Sequence, residues 1–226
     1  MLRFVCGVFG WWLLTSGALA ASTFQQRLAE FQARLANEPT NTALIFKLAD
    51  ICYDEGARDN SKAVELAEKY FQQLLTIEPR NALAQVMLGS TQTMKARDAF
   101  WPPTRLELAR KGNKTMDAAV ELAPQNPEVR FVRAINNFHM PKFMGREEVV
   151  RNDFAWLWQQ VTTQPQPLKE ELKQDVALYQ GKLLWKQKQA AQAREVWNRG
   201  VAFNPDSKRA RSIKEQLTAH HSDGAR

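Results

Sequence analysis

GKLLWKQKQAAQAREVWNRGVAFNP, residues 181–205, decides the fold. Gly181 is followed three residues later by Leu184 and twelve later by Ala193, then by Trp197, Gly200 and Pro205. That is the pattern of two helical segments meeting through small residues and closed by a proline. The closing proline recurs. Pro39, Pro79, Pro124, Pro165 and Pro205 are spaced 40, 45, 41 and 40 residues apart, and the segments between them are apolar at helical period with few strand signals. A fixed period of this size marks a helical repeat array. Glu38-Pro39-Thr40-Asn41, Glu78-Pro79-Arg80-Asn81 and Ala123-Pro124-Gln125-Asn126 each end one helical pattern and place a candidate N-cap two residues past the proline.

Working outward, Phe24, Leu28, Phe31 and Leu35 form one apolar stripe on a first helix that ends near Asn37. Leu44, Leu48 and Ile51 mark the next helix. A turn through Gly56–Asn60 follows, with Ser61 as the expected N-cap of a helix facing inward through Ala63, Leu66, Ala67, Tyr70, Phe71 and Leu74. The third unit runs from Asn81 to about Phe100, halts at Trp101-Pro102-Pro103, and restarts at Thr104-Arg105-Leu106-Glu107, which reads as a capping box. In the fourth, Asn126-Pro127-Glu128 caps a helix carrying Phe131, Ala134, Ile135 and Phe138. Met140-Pro141 ends it, and a second helix spans Glu147 to Val161.

The offsets in the last unit resemble a tetratricopeptide repeat (TPR), strongly there, fairly around Leu48-Ala49 and Leu88-Gly89, and weakly from Pro127, covering Thr42 to Pro205 in all. The fold this resemblance implies is all-α, a right-handed superhelical solenoid of TPR-like helix pairs with lengthened middle units. It also implies a concave groove lined by the first helix of each pair. Carried onto this sequence, the groove positions are Phe46, Tyr53, Val86, Ser90, Asp175, Leu178, Lys182 and Trp185. An aromatic and apolar groove with a few charges suits a peptide or an amphipathic helix of a partner protein. Arg130 and Arg133, with Asn137, depart from the pattern, since the two arginines fall where apolar packing is expected. Buried guanidiniums need partners, for which Asp117, Glu121 and Asp153 are candidates. The three residues otherwise form an anion-binding notch.

The N-terminus sets the compartment. Arg3 precedes an apolar run from Phe4 to Leu14, with Ala18 and Ala20 at cleavage spacing before Ala21, so residues 1–20 read as a secretory signal peptide and not as a membrane anchor. The repeat domain then spans 21–219, and 220–226 is a polar tail expected to be disordered. Residues 1–20 carry one base, Arg3, and no acid, so removing them takes the formal charge from +7 to +6. Cys6 leaves with the signal, and Cys52 stands as a lone thiol with no disulfide to form. A basic exported chain has anionic envelope surfaces and acidic proteins as partners, and the compartment argues against nucleic acid.

Catalytic constellations are scarce. No zinc-binding His-Glu-x-x-His, paired Cys-x-x-Cys, phosphate loop, Gly-x-Ser-x-Gly element or haem-attaching Cys-x-x-Cys-His occurs, and no cofactor is expected. His139 beside Met140 and Met144 offers only a thin case for copper. The reading is a non-enzymatic interaction or assembly scaffold, secreted through its signal peptide and periplasmic. One alternative is a chaperone-like assembly factor for an exported complex, as in cytochrome c maturation. The other is a small-molecule or enzymatic site built by the insertions at Trp101–Arg105 and Phe138–Arg146.

Overall fold

The connections between helices are written in short polar turns, and the computed structural model shows how. Residues 12–163 and 168–220 are described, with side chains from residue 23 onward. The expected signal peptide thus falls outside the described residues up to residue 11, and most of the tail lies beyond them. The helices are α1 (Trp12–Asn37), α2 (Thr42–Gly56), α3 (Ser61–Ile77), α4 (Ala82–Asp98), α5 (Pro102–Leu122), α6 (Pro127–Phe138), α7 (Glu147–Thr163), α8 (Glu170–Lys186), α9 (Ala190–Phe203) and α10 (Lys208–Ala219), with a 3₁₀ turn at Lys142–Met144. No strand occurs among the described residues. None of their helices is long and apolar enough to cross a membrane.

Asn41, Asn81 and Asn126 are the N-caps of α2, α4 and α6, each accepting from backbone N–H groups of the first turn. The first two serve twice. Their Nδ2 groups donate back to Glu38 and Glu78, so one side chain ties the end of one helix to the start of the next. Substituting Asn81 with alanine is expected to cost about 1 kcal/mol in urea unfolding, the usual worth of a cap. The cap of α3 is Asn60, not Ser61, because the residue one earlier reaches the Ala63 N–H. Likewise α5 begins at Pro102, which puts Thr104 inside the helix. Two prolines in a first turn forfeit only N–H groups that have no intrahelical partner, and Arg105 reaches back to the Ala96 and Arg97 carbonyls at the end of α4.

The chain, read as one repeat domain over 21–219, forms two compact units that divide inside α5, after Gly112. In the first, α1 packs on α2, α2 on α3 and α3 on α4. Its core joins Phe24 and Leu28 of α1 to Ile45, Leu48, Ala49 and Cys52 of α2, Ala67, Phe71 and Leu74 of α3, and Ala84 and Leu88 of α4. Cys52 is fully buried and desolvation pushes its thiol up to about 12. A thiolate-specific disulfide reagent at pH 8 should leave it unmodified in the native protein and label it at once in denaturant.

In the second unit α6 packs on α7, α7 on α8, α8 on α9, and α10 closes on α9 and α8. Phe154 and Leu157 anchor one core, Trp197 and Ile213 the other. Gln174, almost wholly buried, joins three helices. Its amide donates to the Gly200 and Asn204 carbonyls, and its oxygen accepts from the Ser207 hydroxyl that caps α10.

Candidate functional site

Helix α2 presents Phe46 and Tyr53, both half-buried. Phe46 meets Phe71 edge-on at 6.0 Å. Tyr53 reaches across to α4, where its hydroxyl shares a 2.7 Å hydrogen bond with that of Ser90. Tyr53 and Ser90, both assigned to a groove from sequence, are thus brought together, the tyrosine half-buried and the serine covered. Ser90 and Val86 are 0% exposed, so α4 offers neither to a ligand. The correction has a physical cause: α4 is buried on several sides at once, and the repeat offsets specify a face without specifying what covers it.

On α8 the same offsets lead to four different fates. Asp175 pairs with Arg209 of α10 at 2.7 Å, and burial pushes its carboxyl up against the pull of that guanidinium. Leu178 is buried, and its carbonyl accepts from the Trp197 indole at 3.1 Å. It too is withdrawn from the expected groove. Trp185 is half-buried and stacks on His220 at 4.2 Å between ring centres. His220, assigned by sequence to the disordered tail, instead follows the last turn of α10 and also lies over Trp197, while its carbonyl accepts from Arg194. Lys182 sits with its ammonium 5.1 Å from the centre of the Tyr179 ring.

Arg130, Arg133 and Asn137 belong to a carboxylate network. Asp153 of α7, 0% exposed, accepts from Arg130 at 2.8 Å and twice from Arg133, each at 2.8 Å. Arg133 also donates to Asp117 of α5. Arg146 makes two bonds to the same carboxylate and a third to the Asn137 side-chain oxygen. Burial alone would lower the Arg133 guanidinium, but its bonds and charges from Asp153 and Asp117 reverse this and hold it above its ordinary value. Arg130 is further covered by the Trp156 ring at 4.6 Å. Both guanidiniums of the supposed notch are therefore engaged by carboxylates. Asp117 and Asp153 were legible as partners. Arg146 was not, because it follows Gly145, whose φ of +66° turns the chain sharply into α7.

Sequence reasoning missed a second grouping. Phe138 and His139 at the end of α6 meet Tyr179 of α8 at ring separations of 5.5 and 6.0 Å. Lys186 lays its ammonium 3.7 Å above the Phe138 ring. His139, weighed above as a copper ligand, packs here against the Phe138 and Tyr179 rings. Burial, then Lys186, then Lys182 hold its imidazole below the usual range. The signal was Tyr179, Lys182 and Lys186 at helical spacing. Among the described residues no three His, Cys, Asp or Glu side chains are placed to hold a metal.

Comparison with known proteins bears on the fold alone. No family model matches the chain, and no curated protein does. Among solved structures it is similar to TTC0263, a thermophilic TPR protein of Thermus thermophilus, with a TM-score of 0.66 and 13% identity over 92% of this chain and 95% of that one. An alignment of that extent at so low an identity preserves the helix order and packing, and it leaves every side chain free to differ. The protein therefore has a tetratricopeptide-like fold, an all-α array of helical repeats.

Proposed function

We propose that this protein is an exported, non-enzymatic interaction module of the cell envelope, which binds a peptide or helix of a partner protein on the exposed faces of its first helices. TPR-like arrays act by presenting surface, since each helix pair buries its seam against a neighbour and leaves one face for recognition. The observation that carries the reading is the half-buried state of Phe46 and Tyr53 on α2 and of Lys182 and Trp185 on α8. Such side chains are fixed by packing on one edge and open on the other, which lowers the ordering cost of binding. The apolar run of 4–14 and the small residues before Ala21 support export, and the positive charge of the chain suits an anionic or acidic partner.

Two measurements test this. Secreted from a bacterial host, the protein should begin at Ala21 and be found in the periplasm. A cytoplasmic chain beginning at Met1 overturns export. A photo-crosslinking amino acid placed at Ala43 or Lys186, exposed on first helices, should capture a defined partner that is not captured from Glu65 or Asn198, exposed on second helices. Capture from the second-helix positions alone overturns the assigned faces.

A further inference from the structure

Phe100 is 95% exposed and Trp101 62%, and with Pro102 and Pro103 they make four consecutive exposed apolar residues at the corner between α4 and α5. Such a run is a solubility liability unless it serves a function. The corner is also held still. Arg105 donates to the Ala96 carbonyl at 3.3 Å and to the Arg97 carbonyl at 2.8 Å, two groups that the end of α4 would otherwise leave to water. Backbone bonds add to this, since the Ala99 N–H donates to the Lys95 carbonyl and the Arg105 N–H to that of Trp101, each at 3.0 Å. Pro102 and Pro103 have no N–H to satisfy. The backbone on either side of the two rings is thus prepared to leave water, which is the condition for entering a medium that offers few hydrogen bonds. Charge points the same way. Asp98 and Asp59 pair with Arg97, and Glu68 pairs with Lys95. Over residues 102–112 of α5, by contrast, Arg105, Arg110 and Lys111 stand against one acid, Glu107, and all four are exposed. Bonding to carbonyls leaves the charge of Arg105 uncancelled.

We infer that this corner docks on an anionic phospholipid bilayer, with Phe100 and Trp101 entering its interfacial region and Arg105, Arg110 and Lys111 meeting its headgroups. The two rings suit that depth, since an indole can keep its N–H toward the headgroups while the rest of the ring leaves water. Their exposure also favours lipid. Rings this exposed project from the turn instead of lining a groove, so a protein partner would have to supply the whole pocket, whereas lipid closes round them. The attachment is peripheral and reversible, resting on two rings and a few bases, and none of the described helices is long and apolar enough to cross the membrane. None of these residues belongs to the partner-binding faces of α2 and α8, so membrane docking stands or falls apart from them.

Two experiments test this. In the full chain, vesicles of brominated phosphatidylglycerol should quench more tryptophan emission from the unchanged protein than from W101F, because the other tryptophans are common to both. Flotation is then measured with a chain that begins at Ala21, which cannot bind lipid through the apolar run at 4–14 and keeps the whole core, whose first residue is Phe24. It should float with mixed phosphatidylglycerol and phosphatidylcholine vesicles, less as salt is raised, and weakly with phosphatidylcholine alone. F100S/W101S, its helicity unchanged, should lose about tenfold or more in partitioning, and R110Q/K111Q about fivefold or more on anionic vesicles only. F143S, which removes an exposed ring of the second unit, should float as the unchanged chain does. Equal quenching in W101F, or flotation that F100S/W101S leaves intact, overturns the docking. Without flotation, a sedimenting dimer that F100S/W101S abolishes replaces the bilayer with a second copy of the chain. If neither lipid nor a second copy meets the corner, the bilayer is overturned in favour of a protein partner.

Discussion

Asp153→Ala is expected to destabilise the second unit by about 3–5 kcal/mol, the cost of leaving buried guanidiniums without their counter-charge. The carboxylate is 0% exposed and takes one bond from Arg130 and two from Arg133. Water cannot replace it without opening the packing of α6 on α7. Asp117→Ala should cost less, because that carboxylate is 32% exposed and solvent can reach the arginines it leaves. The network need not be a net stabiliser, and this gives a second handle. Asp153→Leu combined with Arg130→Met and Arg133→Met removes charge and counter-charge together, and should recover most of the loss. Urea unfolding followed by tryptophan fluorescence is weighted to the right unit, since Trp156, Trp158, Trp185 and Trp197 lie in it and Trp101 of the first unit is already 62% exposed. A loss below about 1 kcal/mol for Asp153→Ala would mean that the guanidiniums are satisfied without it. The anion notch would then return as the better account of Arg130 and Arg133.

The contrast between what was legible in the sequence and what was not follows the range of the interactions. Asn41, Asn81 and Asn126 could be read as caps because the acceptor and the N–H groups it serves are two or three residues apart. Even there, Asn60 against Ser61 and Pro102 against Thr104 show that adjacent residues of similar capping ability are separated only by backbone geometry. Period and proline spacing were enough for an all-α repeat, since both repeat every 40 residues or so. The groove was legible only as a set of faces. Phe46, Tyr53, Lys182 and Trp185 keep an open edge, whereas Val86, Ser90 and Leu178 are covered, and what covers them is long-range. Arg146 and His220 illustrate the same limit. One reaches a carboxylate 29 residues back, and the other stacks on a tryptophan of another helix.

Trp197→Ala should cost the second unit about 3–5 kcal/mol, as for other fully buried large aromatics. Trp197 is 0% exposed, lies against α8 and holds the Trp185 and His220 rings beside it, so truncation leaves a large void and unseats two neighbours. The indole fits because of one residue. A Cβ on Gly181 would stand 2.2 Å from the indole nitrogen and 2.5 Å from the adjacent carbon, distances at which something must move. At an ordinary helical site Gly→Ala gains up to about 1 kcal/mol. Here Gly181→Ala should instead lose about 1–3 kcal/mol, because the methyl group displaces a ring enclosed on all sides. The sign reversal is the diagnostic. With Trp197 shortened to leucine the obstruction is gone, so Gly181→Ala in that background should be neutral or stabilising, and the two changes should couple by about 0.5–3 kcal/mol. Additive losses would mean that the separation of α8 and α9 is fixed elsewhere along their seam. A favourable coupling would establish that the glycine and tryptophan, sixteen residues apart in the sequence, are set as a pair by the close approach of two helices.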